Sequence, residues 1–242
     1  CRMIFRPENL MVDFTGDENA FRSLEQGVAS LREKLYTCEV ERGKYEPVLS
    51  RKNEGFVTPG QVQYVFRAGN FLKKGLPYRG ALKVLGVMMD YEYLWVNIRV
   101  KGGAYGCMCA FGRNGDSFFG SYRDPNLGQT IDVYEKAADY IAAFDAGERA
   151  MTQYIIGAFS QMDMPLTAAG KGRRSKDAYM HGLTMEMIQK ERDEVVNATP
   201  EDIRGLADYI RAFLADDCLC VVGSEQKIRA EEKQFLNVEN LF

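Results

Sequence analysis

The hydrophobic pattern of residues 82–111 changes its period at a pair of glycines, and no other feature constrains the fold as strongly. Before the glycines, apolar residues recur at the spacing of one helical face. After them the period is two, which is typical of a strand. Gly102 and Gly103 mark the change, because glycine enters left-handed conformations without a Cβ penalty and so ends a helix readily. The sequence therefore predicts a helix followed directly by a strand. The predicted helical stripe consists of Leu82, Leu85, Val87, Met88, Tyr91, Leu94, Trp95 and Ile98, and one face of the strand consists of Tyr105, Cys107, Cys109 and Phe111.

Local signals predict several other elements. Asn114-Gly115 lies between the strand above and the run "SFFGSYR", and this dipeptide predicts a hairpin. Thr199 is followed by Pro200, Glu201 and Asp202, which together predict the start of a helix. The runs "QVQYVFRAGNF" and "CLCVVG" predict two further strands.

Three segments carry weaker patterns. Residues 10–14 predict a short strand before a helix with Thr15 as its N-cap. Residues 36–60 show neither period and predict a long exposed connection. The run "LTAAGKGRRSKDA" predicts a solvated loop, and Gly172 stands where a phosphate-binding loop needs serine or threonine.

Strands separated by helices, with one tight hairpin among them, predict the fold class. The expected architecture is α+β, with a mixed sheet carrying helices on one side. No internal repeat or linker divides the sequence, so a single domain over residues 1–242 is predicted.

The composition excludes two classes of partner. The 31 basic and 34 acidic residues are spread along the chain, so no basic surface for nucleic acid is indicated. No segment approaches the ~20 apolar residues needed to cross a bilayer.

The six cysteines include two Cys-x-Cys pairs, at positions 107 and 109 and at positions 218 and 220. Both pairs lie in strand-like runs and are interpreted as small apolar residues in a reduced compartment, which favours a cytoplasmic location. A zinc site with four thiolates stays possible if the two strands are neighbours. The chain begins with Cys1 and shows no signal-peptide pattern, which suggests a fragment of a longer protein.

Common catalytic sets are missing. The single histidine, His181, lies outside any recognisable base or ligand context and is interpreted as a surface or packing residue. No Gly-x-Gly-x-x-Gly fingerprint is present for a dinucleotide.

Arg99 and Tyr105 flank the glycine pair and allow two interpretations. Arg99 in the last helical turn complements the helix dipole and Tyr105 suits a strand start, so both can be purely structural. Alternatively, both side chains face a ligand outside the domain.

Three runs resemble a known family. "RVKGGAYG", "GSYRDPNLGQTIDVY" and "KGRRSKDAYMHGLTMEMIQKERDEVVNATPEDIRGLADYI" are similar to the last domain of the presequence-protease branch of the pitrilysin zinc metallopeptidases, which is subfamily C of the M16 peptidases in the insulinase superfamily. The resemblance implies a largely antiparallel M16 peptidase-like sheet, and a parent protease with four domains that degrades peptides in a closed chamber. Its zinc would lie in the first domain on a His-x-x-Glu-His motif that this chain lacks. The chain would be the C-terminal quarter, inactive and metal-free alone, with the N-terminal domains of the same protein and a peptide as its partners.

The resemblance also implies roles for the residues around the glycine pair. Arg99 would bind the substrate backbone, and Tyr105 would stabilise the oxyanion. Gly102 and Gly103 would shape the turn and belong to the substrate-binding site. The alternatives are a noncatalytic M16-like scaffold or peptide-binding module, and a cysteine-bound metal module.

Overall fold

The computed structural model describes residues 1–41, 43–47, 50 and 53–241. Its strands are β1 (Glu54–Thr58), β2 (Gln63–Asn70), β3 (Gly106–Phe111), β4 (Asp116–Asp124), β5 (Cys218–Ser224) and β6 (Asn237–Asn240). Its α-helices are α1 (Glu18–Glu33), α2 (Ala81–Met88), α3 (Gly128–Glu135), α4 (Ala137–Ala142), α5 (Glu148–Met162), α6 (Ala168–Met180), α7 (Met185–Val196), α8 (Pro200–Gly205), α9 (Ala207–Leu214) and α10 (Glu225–Ala230). A π-helix spans Met89–Val100, and 3-10 turns span Pro7–Asn9, Phe71–Lys74 and Glu232–Gln234.

The chain divides into two compact units. The first unit comprises Cys1–Leu49 and Met164–Ile188, and the second comprises Ser50–Asp163 and Gln189–Phe242. The single domain expected over residues 1–242 stays a prediction. Among the helices of the described residues, none is both long enough and apolar enough to span a bilayer.

The first unit is helical and corrects three predictions. Residues 10–14 form no strand, and α1 is capped by Asp17 rather than Thr15, because the Asp17 carboxylate accepts the Ala20 N–H at 2.8 Å. Thr15 instead lies against the backbone of α6 at Gly172. The predicted basic loop is largely α6, which begins where the Thr167 hydroxyl accepts the Gly170 N–H at 3.2 Å.

The second unit contains a six-stranded sheet with the order β3-β4-β2-β5-β1-β6. Strand β4 pairs antiparallel with β3 and β2, and β2 pairs antiparallel with β5. Strand β1 pairs parallel with β5 and β6. The sheet is therefore mixed and largely antiparallel, with helices packed mainly on one face, and the predicted α+β class is confirmed.

The prediction of a long exposed connection over residues 36–60 is wrong near the end of that segment, because β1 (Glu54–Thr58) lies there. Residues 42, 48, 49, 51 and 52 of that segment lie outside the described residues. The short run that forms β1 is flanked by turn-forming residues, so its strand character depends on pairing with β5 and β6 on its two sides.

An aromatic cluster forms the core on the helical side of the sheet. The ring of Phe119 in β4 lies 5.0 Å from Phe213 of α9 and 5.5 Å from Tyr134 of α3, and all three side chains are fully buried. Phe118, the preceding residue, points to the opposite face, where its ring lies 5.8 Å from Phe66. The two faces of β4 therefore differ in burial.

We expect Phe119→Ala to lower the free energy of unfolding by about 3–5 kcal/mol, because it leaves a cavity among three packed rings. Phe118→Ala is the matched control on the same strand and should cost only about 1–2 kcal/mol, since its ring is half-buried. Urea denaturation followed by circular dichroism measures both. Equal losses would contradict the placement of the core on one face.

Candidate functional site

The π-helix that follows α2 positions the candidate site. Because each π-helical turn holds more residues than the 3.6 of an α-helix, a stripe at α-helical spacing drifts off the buried face. Tyr91 and Trp95, predicted to be core residues, are 67% and 43% exposed. The prediction was wrong for these two residues. The buried residues of the π-helix are Met89, Tyr93, Leu94 and Ile98.

Two hydrogen bonds hold the π-helix against its neighbours. The Asp90 carboxylate accepts the backbone N–H of Cys109 in β3 at 2.8 Å. The Tyr93 hydroxyl donates to the carbonyl of Val133 in α3 at 2.7 Å. Burial raises the pKa of Asp90, although the hydrogen bonds from Cys109 act in the opposite direction. The helix is thereby held to the edge strand β3.

The glycine pair closes the turn between the π-helix and β3. The Ala104 N–H donates to the Ile98 carbonyl at 3.1 Å, and the Gly103 N–H donates to the Arg99 carbonyl at 3.0 Å. Gly103 has a φ of 79°, which side chains rarely adopt, and a Cβ on Gly102 would lie 2.5 Å from the Ile98 oxygen. Both glycines therefore have a structural reason to be there. Their assignment to substrate binding stays a prediction.

An open pocket of about 600 Å³ lies at this turn. The Tyr105 side chain is 58% exposed and Arg99 is half-buried. Both residues lie at the surface and line this pocket, whereas their roles stay predictions. The pocket is lined by Trp95, Arg99, Val100, Gly103, Ala104, Tyr105 and Arg123.

The Arg99 guanidinium folds over its own turn. Its Nη1 donates to the carbonyl of Ala104 at 3.2 Å and to that of Tyr105. Its central carbon lies 4.8 Å from the Trp95 ring and 5.5 Å from the Tyr105 ring. Within the described residues, Nε and Nη2 have no hydrogen-bond acceptor, so these donors can serve a ligand.

Tyr105 is held by its backbone and by its ring. Its N–H donates to the Arg123 carbonyl at 3.3 Å, and its ring packs edge-on against Tyr122 at 5.5 Å. The hydroxyl has no hydrogen-bond partner in the part of the chain that the structure describes. The phenol is therefore oriented while its polar end remains available to a ligand.

Sequence reasoning missed four residues that line the pocket, which are Trp95, Val100, Ala104 and Arg123. Trp95 was assigned to the core because the prediction assumed α-helical spacing, whereas the residue lies in a π-helix. Arg123 was interpreted only as the last residue of the predicted strand run "SFFGSYR" and as part of a family motif, without a role in a site; it lies directly before Asp124, the last residue of β4. The local sequence signal for a site role of Arg123 is its position at a strand end, directly after the aromatic residue Tyr122.

The residues that the structure describes do not fit zinc. No three or more of the described histidine, cysteine, aspartate and glutamate side chains are grouped to hold a metal ion. His181 is exposed, and its Nδ1 lies 2.7 Å from the Asp177 carbonyl. The two Cys-x-Cys pairs lie on β3 and β5, which β4 and β2 separate. At about 4.8 Å per strand spacing, four thiolates from these strands cannot meet around one ion.

The thiols of β3 are also unsuited to metal binding or nucleophilic attack. Burial raises the pKa of Cys107 to about 11, and nearby Asp90 adds to the rise. Burial raises the pKa of Cys109 well above its usual value. Both thiols therefore stay protonated at neutral pH, when the thiolate is the reactive form.

Comparison with known proteins places the chain in a family. The sequence profile of the PreP C-terminal domain matches residues 53–224. The chain belongs to this family. It is a C-terminal domain of the presequence-protease type, in subfamily C of the M16 peptidases, as the resemblance predicted.

Relatives of this PreP-type domain are much longer than the chain. Protein HypA of Clostridium perfringens is 37% identical over 239 residues, which cover 99% of the chain and 25% of HypA. Presequence protease 1 of Arabidopsis thaliana is 30% identical over 240 residues, which cover 98% of the chain and 22% of that protein. The chain thus spans about a quarter of the length of these relatives.

Solved structures share the fold of the PreP-type domain. A structure described as a peptidase M16 inactive domain, from Pseudomonas fluorescens, superposes with a TM-score of 0.56 at 14% identity, covering 84% of the chain and 51% of that structure. Pitrilysin superposes with a TM-score of 0.54 at 15% identity, covering 85% of the chain and 23% of pitrilysin. These similarities concern the fold alone.

We expect Gly102→Ala to lower the free energy of unfolding by about 1–3 kcal/mol, because its Cβ would clash with the Ile98 carbonyl. Gly86→Ala in α2 is the matched control. A Cβ there meets nothing within 4 Å, so this change should stabilise the chain by about 0.5–1 kcal/mol. Thermal melts compare the two variants, and a harmless Gly102→Ala would argue against the turn described here.

Proposed function

We propose that the chain is the C-terminal part of a zinc-dependent oligopeptidase that degrades peptides in a closed chamber. Family membership and the similarity to longer relatives named as presequence proteases support this proposal. The observation that carries it is the unpartnered Tyr105 hydroxyl beside Arg99 in an open pocket. In this function the chain contributes substrate contacts.

Arg99 binds the peptide backbone of the substrate. A guanidinium presents five N–H donors in a fixed plane, and Nη1 already bonds to the carbonyls of the turn. These bonds and the neighbouring Trp95 ring hold the group in place, so little freedom is lost when the remaining donors meet substrate carbonyls. Arg99 therefore acts in the ground state as well as in the transition state.

Tyr105 stabilises the oxyanion of the tetrahedral intermediate. Its hydroxyl can donate to negative charge that develops on the carbonyl oxygen during attack, and a single such donor contributes about 3 kcal/mol. The edge-on contact with Tyr122 fixes the ring before the substrate arrives. The donor is thus preorganised.

Zinc, the N-terminal domains and the location of the protein also belong to the proposal. Solved structures related in fold include one described as a putative zinc protease, and the described residues of this chain do not fit zinc. The metal would therefore bind in the N-terminal domains of the same protein, which form the other walls of the chamber. The proposed location is the cytoplasm, since the six cysteines, all within the described residues, carry free thiols.

A noncatalytic role is the second candidate. The structure from Pseudomonas fluorescens that shares the fold is described as an inactive domain. The pocket could hold a peptide in the same way as part of a scaffold or peptide-binding module. In that case Arg99 would be important for affinity, and the Tyr105 hydroxyl would have no kinetic role.

In the complete protease, we expect Tyr105→Phe to lower kcat by roughly 100-fold or more with little change in KM, because the hydroxyl acts on charge present only in the transition state. Arg99→Ala should affect both constants. Tyr122→Phe is the matched control, since its ring contact remains and it does not line the pocket. Peptide-hydrolysis kinetics with thermal melts test both roles: an unchanged kcat in Tyr105→Phe would exclude the oxyanion role, and a complete protein that hydrolyses no peptide would leave only the scaffold or binding module.

We expect the purified chain to contain no stoichiometric zinc and to cleave no peptide. The reason is the separation of the cysteine pairs across the sheet and the exposed position of the single histidine. Elemental analysis by mass spectrometry measures the metal. One zinc per chain, lost on Cys107→Ser or Cys218→Ser, would establish the cysteine-bound metal module instead.

A further inference from the structure

Arg123 lies at an irregularity that turns its side chain towards the candidate pocket. In the pairing of β2 with β4, Gln63 is opposite Asp124 and Val65 is opposite Ser121, so β4 carries one extra residue. Arg123 has a φ of 47°, a left-handed conformation that is uncommon for a residue with a side chain. A bulge of this kind changes the direction of a side chain at the end of a strand.

Buried hydrogen bonds on both sides hold this unusual backbone in place. The Asp124 carboxylate accepts the Ser121 hydroxyl and the Thr130 hydroxyl, each at 2.7 Å. It also accepts the Asn126 N–H at 2.9 Å. Asp124, Ser121 and Thr130 are almost completely buried. The neighbouring residues thus fix the backbone on which Arg123 sits, and strain of this kind persists where the surroundings determine it.

Two guanidiniums share the Tyr105 ring as a result. The central carbon of Arg123 lies 5.5 Å from the ring centroid, and that of Arg99 lies at the same distance. Both arginines line the pocket together with Tyr105.

Within the part of the chain that the structure describes, no carboxylate balances the charge of these two arginines. No carboxylate lines the pocket, and neither Arg99 nor Arg123 forms an ion pair with any described residue. Elsewhere in the same unit, Arg67 pairs with Glu135 and Asp217, and Arg192 pairs with Asp163. A pocket with two unpaired guanidiniums favours a ligand that carries negative charge.

We infer that Arg123, together with Arg99, binds a carboxylate of the peptide ligand beside Tyr105. The carboxylate comes either from an acidic side chain or from the peptide C-terminus. Guanidinium and carboxylate match in a paired, planar geometry that an amide cannot reproduce with the same strength. This inference rests on the proposed function, because it assumes that the pocket receives peptides, and it makes Arg123 a determinant of specificity.

The chain contains its own reporter for this test. Trp95 is the single tryptophan of the sequence, and it lines the pocket beneath the Arg99 guanidinium. Tryptophan fluorescence therefore reports directly on ligand binding. The chain is titrated with four peptides that share one sequence except at a single internal position. That position is Glu or Gln, and each version has either a free or an amidated C-terminus.

We expect the peptides with a carboxylate to bind about tenfold tighter or more than the fully amidated Gln peptide. The two peptides with a single carboxylate show which source the pocket prefers. Arg123→Asn should remove most of this preference. Asparagine tolerates a left-handed backbone, so the variant is expected to fold, and a thermal melt verifies this. Arg123→Lys should retain part of the preference.

Arg149→Asn is the matched control, because Arg149 is exposed on α5 and does not line the pocket. It should leave every affinity unchanged. Equal affinity of the wild-type chain for all four peptides, or an Arg123→Asn variant that keeps the preference, would overturn the inference. Because this readout is binding to the chain alone, its failure is separate from that of the catalytic proposal, which depends on kcat of the Tyr105→Phe variant.

Discussion

The hydrogen bond from the Ala104 N–H to the Ile98 carbonyl, 3.1 Å long, closes the turn on which the candidate site depends. The bond can form only if no Cβ at position 102 approaches the same carbonyl. Once the turn is closed, the last residues of the π-helix and the first residues of β3 lie side by side. The guanidinium of Arg99 can then reach the carbonyls of Ala104 and Tyr105. The geometry of the pocket thus follows from a backbone constraint.

Arginines serve two different purposes in the second unit. Arg67 is buried in β2, where it pairs with Glu135 and Asp217 and donates to the Leu214 carbonyl at 3.2 Å. Its charge is satisfied within the protein, so it joins the sheet to surrounding helices. Arg99 and Arg123 contact the Tyr105 ring, and Arg99 also donates to backbone carbonyls, but neither pairs with a described carboxylate. In this respect the two pocket arginines differ from the structural ion pairs of Arg67.

Family membership and pocket geometry answer separate questions. The family accounts for the mixed sheet and its helices, which solved M16 structures share at low sequence identity. It does not decide whether this member hydrolyses peptides, because the chain spans about a quarter of its longer relatives. The pocket adds a specific chemical arrangement: a tyrosine whose ring contacts two guanidiniums. That arrangement suits binding of a peptide in either role, and peptide hydrolysis by the complete protein, with the kinetic effect of the Tyr105 hydroxyl, separates them.

Signals that act over a few residues were readable from the sequence. Thr199 and Asp202 form a capping box at the predicted helix start, and Gly115 takes the positive φ of the predicted hairpin turn, because both arrangements are satisfied within one turn of chain. Arg99 and Tyr105 were identified through motifs around the same glycine pair. Long-range packing decided the remainder. The π-helical phase that exposes Trp95 and the bulge that turns Arg123 into the pocket both depend on partners distant in sequence, and local propensity contains no information about them.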